Sequence, residues 1–427
     1  MDRIAEHYFE IDDTPGSEQP GVDDGPLRDQ APIPIAVFNV KYSPNLGDGV
    51  IAECLEHSLR TAEPSLRPYS IDLAGRESFD ASNGGRRRWL ISALETLPSG
   101  VRRYAVPLAL RALVGIRLAR RWREQLRGAK AVVVGGGNLF ADRDQNFPIK
   151  ISSALELARD LRLPVAIAAI GVGKEWSKAG RSRLTRAISR SRVVSISVRD
   201  GISQHHWQEY LSASGTDRVP IALDPGLLAA RVYGTDDKAD RADTIGICLT
   251  APEVLRLHGQ HGADRCDLEW MVEFVSALLG QDHRLVLFTN GSPEDQHFLD
   301  LVYARLPKDP RLSRADRFTK PRDLARFIGS LQGVVAHRLH ACIVAHSYGV
   351  PTAGLVWDAK LEGFFTTIGR APHLIDPSML GPFEAARMSI DTMSAIPDPT
   401  EVAALQDDCF GSIADLAGLV NTQAVAA

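Results

Sequence analysis

The chain has 427 residues, 44% hydrophobic and 24% charged, with a formal net charge of −4. That length accommodates two or three domains of ordinary size, and the composition is that of a chain that folds around its own core. The small net charge argues against a nucleic-acid binder with an overall basic surface; no run of about 18 apolar residues marks a membrane span.

Residues 1–32 are rich in Asp, Glu, Gly and Pro and poor in large hydrophobes, which predicts a disordered acidic tail. The opening "MDRIAEHYFEIDD" has no basic region followed by an apolar core, so no secretory leader is read there. From "PIAVFNV" onward, short apolar runs alternate with amphipathic stretches. "AVFNV" precedes the helical "GDGVIAECLEHSLR", "AKAVVVGGG" precedes "KISSALELARDLR", and "PVAIAAIGVG" precedes "KAGRSRLTRAISR". "VVSISVRD" precedes "ISQHHWQEYL", and "VPIALDPG" closes this series. Apolar runs of about four to eight residues between helices predict buried parallel strands.

A polar stretch, "RVYGTDDKADRAD", then separates a second series with the same rhythm. Its strands are "TIGICLT", "HRLVLFTNG", "GVVAHR" and "PTAGLVW", interleaved with the helices "DLEWMVEFVSALLG", "EDQHFLDLVYARL", "RDLARFIGSL" and "HACIVAHSYG". The expectation is an α/β protein of two doubly wound, Rossmann-like domains facing a cleft. The boundaries fall at about 33–232 and 243–427, the latter ending in a C-terminal helix. Ligands in such sheets bind beyond the carboxyl ends of the strands. One segment interrupts the alternation: residues 86–128 are arginine-rich with apolar stripes, and Arg117, Arg120, Arg121, Arg123 and Arg127 crowd its end. It reads either as a helix packed on the sheet with a solvated basic face or as a basic amphipathic helix that lies on anionic lipid.

The five cysteines, Cys54, Cys248, Cys266, Cys342 and Cys409, are scattered without a CxxC pair. Neither a zinc cage nor a disulfide framework is expected, and a reducing cytoplasm fits. No metal-ligand spacing and no cofactor fingerprint is present, since the glycine loops match neither a Walker A nor a GxGxxG spacing.

The chemistry-bearing residues gather at the predicted strand ends. Asn45, Gly47 and Asp48 stand between the first strand and its helix, as an anion-binding loop or as caps and turn glycines. Gly135, Gly136 and Gly137 follow a buried strand directly, with Asn138 after them, as a close-approach loop or a tight turn. Arg199 ends another strand, where its guanidinium either forks onto a carboxylate or phosphate or pairs with Asp200. Thr289, Asn290, Gly291 and Ser292 suit a sugar or phosphate, or simply cap the next helix. Arg338 and His340 mark the end of "GVVAHR"; one guanidinium and one imidazole suit an anionic substrate that also needs a proton moved. Lys360, past the next strand, adds a cation to the same rim or a surface ion pair with Asp358.

These residues resemble the polysaccharide pyruvyl transferases. The resemblance is carried by "NLGD" (45–48), "GGGNLF" (135–140), "SVRD" (197–200), "HRLHACIVAHSYGVP" (337–351) and "DAK" (358–360), and runs from about residue 36 to 367. The late R-L-H block with its proline and D-x-K is the most specific part. The acidic tail and the arginine-rich insert are not part of the pattern. The resemblance implies a fold similar to GT-B glycosyltransferases. It further implies transfer of a pyruvyl group from phosphoenolpyruvate to a sugar or lipid-linked oligosaccharide, forming a ketal and releasing phosphate in exopolysaccharide or cell-wall polymer synthesis. On that expectation His340 is the general acid and Arg338 binds the donor and the leaving phosphate. Asp48 orients or deprotonates the acceptor hydroxyl, and Asn45, Gly47, Gly136, Gly137, Asn138, Arg199, Asn290 and Lys360 bind substrate. His337 is not catalytic, because members of the family carry Ser there. No nucleic acid is expected as a partner, and the basic segment suggests peripheral contact with the inner membrane surface. A nucleotide-sugar glycosyltransferase and a non-catalytic sugar- or anion-binding scaffold are the alternatives.

Overall fold

Strand β1 (Ile33–Asn39) is buried along nearly its whole length, as an all-apolar run between helices requires. The computed structural model that shows this describes residues 31–79, 99–212, 218–234, 242–258 and 266–426. The predicted tail (apart from its last residues), residues 86–98 of the arginine-rich insert and most of the polar stretch between the two series therefore lie outside the described residues.

The first series continues with α1 (Leu46–Ala62), β2 (Leu66–Asp72), α2 (Ser99–Leu113), α3 (Ala119–Gln125), β3 (Ala131–Gly135) and α4 (Asn146–Asp160). It closes with β4 (Val165–Ile170), α5 (Lys178–Arg190), β5 (Val193–Val198), α6 (Gly201–His206) and α7 (Ala229–Tyr233). Its five strands are parallel in the order β2-β1-β3-β4-β5. "VPIALDPG" does not form a full strand; Ile221 makes a single bridge to Val198, and a 3₁₀ turn follows at Pro225–Leu228.

The second series runs β6 (Ala242–Cys248), α8 (Pro252–His258), α9 (Leu268–Leu279), β7 (Leu285–Phe288), α10 (Pro293–Arg305) and β8 (Leu312–Arg314). It continues with α11 (Pro321–Gly329), β9 (Leu331–Ala336), α12 (Leu339–Ser347), β10 (Thr352–Leu355) and α13 (Ala359–Thr367). β11 (Leu374–Ile375), α14 (Pro382–Met393) and α15 (Pro399–Val425) end it. The order is β11-β10-β9-β6-β7-β8, again parallel.

Each order reverses once, between β1 and β3 in the first sheet and between β6 and β9 in the second. These switch points splay the following loops apart and leave a crevice beyond the strand ends. The two crevices are brought together by α1. Its buried stripe, Val50, Cys54, Leu55 and Leu59, belongs to one apolar cluster that also holds Val286, Phe288, Leu324 and Ile328 of the second series. The C-terminal helix α15 returns to the first series, where the Cys409 thiol lies 3.5 Å from the Asp224 carbonyl and Arg192 meets Gln423.

Candidate active site

The N-terminus of α1 is built to be approached. Asn45 caps the helix, its side chain accepting from the Gly47 amide at 3.3 Å. The Leu46 amide donates to the Asn290 carbonyl at 2.8 Å, tying the helix start to the loop after β7. A Cβ on Gly47 would stand 2.3 Å from Cβ of His340, and one on Gly49 would stand 2.7 Å from Pro321. The two glycines of "GDG" are therefore the places where the second series presses against the first.

His340 is seated there. Arg338 is the N-cap of α12 and His340 the helix's second residue, so the two leave a helix start rather than the tip of β9, which ends at Ala336. The His340 Nδ1 lies 3.9 Å from Asp48 Oδ1. At this length the contact is electrostatic, and catalytic hydrogen bonds often tighten only with substrate bound. Burial pushes the His340 pKa down to about 3, helped by the charges of Arg199, Lys360 and Arg338. Burial pushes Asp48 up to about 6, opposed by the hydrogen bond from Ser43 and by the charges of Arg76 and Arg338. At neutral pH the pair is a neutral imidazole beside a strained carboxylate.

Arg338 is fixed by Asp295, a residue in the first turn of α10. Its Nε donates to Asp295 Oδ2 at 3.0 Å, and its Nη2 donates to the same oxygen. Asp295 is fully buried, and its other oxygen accepts the Ala251 amide at 2.9 Å. The local chemistry does resemble a cap, since Ser292 accepts from the Asp295 amide. Nothing in "SPED" signals the guanidinium 43 residues away, because the pairing is created by the sheet order.

The remaining candidates fall into three settings. Gly136 and Gly137 have φ of +79° and +82°, a region that glycine enters without a Cβ penalty. A Cβ on Gly136 would meet Ile51 at 2.6 Å, and Gly137 faces Asp48. Asn138 and Arg199 converge over Gly171, where a Cβ would come within 2.7 Å of the Asn138 oxygen and 2.9 Å of the Arg199 Cζ. Arg199 is buried between two carboxylates, with Nε 3.1 Å from Asp200 and Nη1 3.5 Å from Asp224; its Nη2 has no hydrogen-bond partner among the described residues. Asp200 also caps α6 through the Ser203 amide at 2.6 Å, so it both pairs and caps.

Asn290 is fully buried, accepts from the Cys248 thiol, and keeps an Nδ2 without a hydrogen-bond partner among the described residues. Lys360 reaches Asp358 at 3.2 Å and lies 5.9 Å from the Trp357 ring; a third of its side chain remains exposed. Asp358 caps α13, so this end of the helix presents one carboxylate and one partly exposed ammonium. His337 is fully buried among apolar groups with neither ring nitrogen partnered among the described residues. Burial, then Arg338, pushes its pKa down to about 3, and it does not face the His340–Asp48 pair through any hydrogen bond.

Asp48, Gly137 and His340 thus meet, with the charges of Arg338, Arg199 and Lys360 bearing on the imidazole. Asn45 is engaged as a cap, and Asn290 holds the α1 start through its carbonyl.

The fold is similar to that of a glycosyltransferase and of a UDP-N-acetylglucosamine 2-epimerase. The glycosyltransferase of kitacinnamycin superposes with a TM-score of 0.51 at 12% identity, covering 92% of this chain and all of that one. The Staphylococcus aureus MnaA–UDP structure gives 0.50 at 12% identity over 86% of this chain and 92% of that one. A UDP-N-acetylglucosamine 2-epimerase gives 0.50 at 12% identity over 91% and 95%. At such identities the likeness establishes a GT-B architecture. None of the curated proteins compared matches this sequence. The polysaccharide pyruvyl transferase family model matches residues 45–359, from the Asn45 cap through the helix start beside Lys360, and the chain belongs to that family.

Proposed function

We propose that the protein transfers a pyruvyl group from phosphoenolpyruvate to two hydroxyls of a sugar, releasing phosphate. The observation that carries this reading is the imidazole of His340, set between the Asp48 carboxylate and the field of three cations. A donor with a carboxylate and a phosphate brings about three negative charges at neutral pH. Bound against Arg338, Lys360 and the Arg199 edge, it offsets the cations that add to burial in suppressing protonation of His340 and places negative charge beside the imidazole. The imidazole then gains a proton when the donor arrives, and a general acid forms where one is needed.

His340 Nε2 gives that proton to the methylene carbon, which becomes a methyl group. The positive charge that develops at the adjacent carbon is attacked by the first sugar hydroxyl, whose proton passes to Asp48. The second hydroxyl then displaces the phosphate and gives its proton back to His340, the departing phosphate takes the proton held by Asp48, and Arg338, held in place by Asp295, stabilises the leaving charge. The pocket's own groups supply the proton transfers; the donor supplies the leaving group.

The test is phosphate release from phosphoenolpyruvate across a panel of sugar acceptors, with nucleotide sugars in parallel. Acceptor-dependent phosphate release supports the reading. Release of a nucleoside diphosphate with none of phosphate would replace it with glycosyl transfer.

A further inference from the structure

The helical segment 99–125 carries a surface that the transfer chemistry does not use. It runs through α2, a π turn at Val114–Leu118 and α3. One side is core: Val114, Leu118, Trp122 and the following Leu126 are buried. The opposite side exposes Leu108 at 68%, Leu113 at 43% and Ile116 at 80%. Leu108, Ala112 and Ile116 follow one another at four-residue steps, so they form a ridge along the helix. Arg111, Arg117, Arg120, Arg123 and Arg127 are exposed around that ridge, whereas Glu124 is the sole carboxylate between residues 105 and 128. This is a strongly basic face on a chain of net charge −4.

We infer that this face docks on an anionic bilayer surface. A cation-flanked apolar ridge suits a membrane interface, with arginines at the headgroups and leucine and isoleucine below them. A nucleic-acid backbone would engage the arginines and leave Leu108 and Ile116 in water. Among the described residues no helix is long and apolar enough to cross a membrane, so the contact is peripheral. The helix is also braced to the candidate site. Arg121 donates to the Gly75 carbonyl at 2.9 Å and pairs with Glu77, and Leu118 occupies the space beside Gly75 that a Cβ would fill. The next residue, Arg76, pairs with Asp72 at 3.1 Å and acts electrostatically on Asp48. Docking therefore places the Asp48 rim of the crevice near the lipid surface, where a lipid-linked sugar would present its hydroxyls. That acceptor assignment rests on the transferase reading; lipid binding by the helix does not.

The experiment is sedimentation of the full chain with phosphatidylcholine vesicles and with vesicles containing about one third phosphatidylglycerol. Expected is preferential binding to the anionic vesicles, weakened at about 0.5 M salt. Leu108→Ser with Ile116→Ser, and separately Arg117→Gln with Arg123→Gln, should each lower the partition coefficient about tenfold. Both double variants should keep the thermal unfolding midpoint and the rate with a soluble acceptor. Absence of binding, equal binding to neutral vesicles, or variants that bind like the parent would overturn the proposal. A dimer in solution that the Leu108→Ser/Ile116→Ser variant dissociates would assign the face to a second copy and overturn it too. A chain that binds vesicles but releases no phosphate would keep the docking face and remove the transferase reading.

Discussion

The two switch points are built from the same parallel-sheet geometry but contribute opposite things. Beyond β1 and β3 lie glycines and a carboxylate: Gly47, Gly136 and Gly137 open space around Asp48. Beyond β6 and β9 lie a guanidinium and an imidazole, with Arg338 braced on Asp295 and His340 lodged on Gly47. On the proposed reading, one side provides room and a base, the other charge and a proton. Both groups are perturbed where the two sides meet: the His340 pKa is pushed down by burial first and by the surrounding cations after it, and the Asp48 pKa is pushed up by burial.

The largest effect should come from the second switch point. His340→Ala is expected to lower kcat about 10²- to 10⁴-fold with circular dichroism unchanged. Turnover near the parental rate would move the acid elsewhere and dissolve the division of labour. A smaller but more diagnostic effect should follow Gly47→Ala, since its methyl group would lie 2.3 Å from the His340 Cβ. Displacing the ring by a fraction of its width should cost on the order of 10²-fold in kcat and little in donor binding. A parental kcat would mean that His340 need not sit against α1.

The smallest and sharpest test is Asp48→Asn read against pH. A carboxyl whose folded pKa is raised from 3.8 to about 6 contributes most to stability while protonated; that contribution is lost as pH rises from about 4 through 6. The neutral amide removes this loss. The variant should therefore match the parent near pH 4 and exceed it by on the order of 2 to 3 kcal/mol above pH 7, measured by urea unfolding. His340, depressed to about 3, slopes the other way over about pH 3 to 6.5 in both proteins and cancels in the difference. The parent's kcat/KM should rise through about pH 6 and the variant's should not. A pH-independent stability difference would show that Asp48 is not a strained anion.

Much of this was legible in the chain. Strands announce themselves as apolar runs, so β1, β3, β4, β5, β6, β7, β9 and β10 could be read along with most of the helices that follow them. The strands that escaped, β2, β8 and β11, all lie at sheet edges. β2 is half-exposed and contains Pro68, and β8 and β11 have three and two residues. An edge strand can be short or polar because it is paired on one side only; β5, the remaining edge strand, keeps the apolar run VVSISV and was legible. The strand-end candidates could likewise be picked by residue type and position, because parallel sheets present ligands at carboxyl ends.

Contacts between distant segments were not legible. Gly47 read as part of an anion-binding loop or as a turn glycine, but Gly47 and Gly49 are small because His340 and Pro321 press against them from the other series. Thr289 to Ser292 read as a cap of the next helix, and Ser292 is one, but the Asp295 that it caps also anchors Arg338. Asn45 and Asp200 proved to cap helices as well as border the crevice. Sequence determined the elements, their alternation and the residues at each strand end, because local patterning and backbone chemistry follow from neighbours along the chain. Which carboxylate meets which cation, and why a helix begins with two glycines, was decided by the tertiary structure, because those facts depend on groups that only the strand orders bring within a few ångströms.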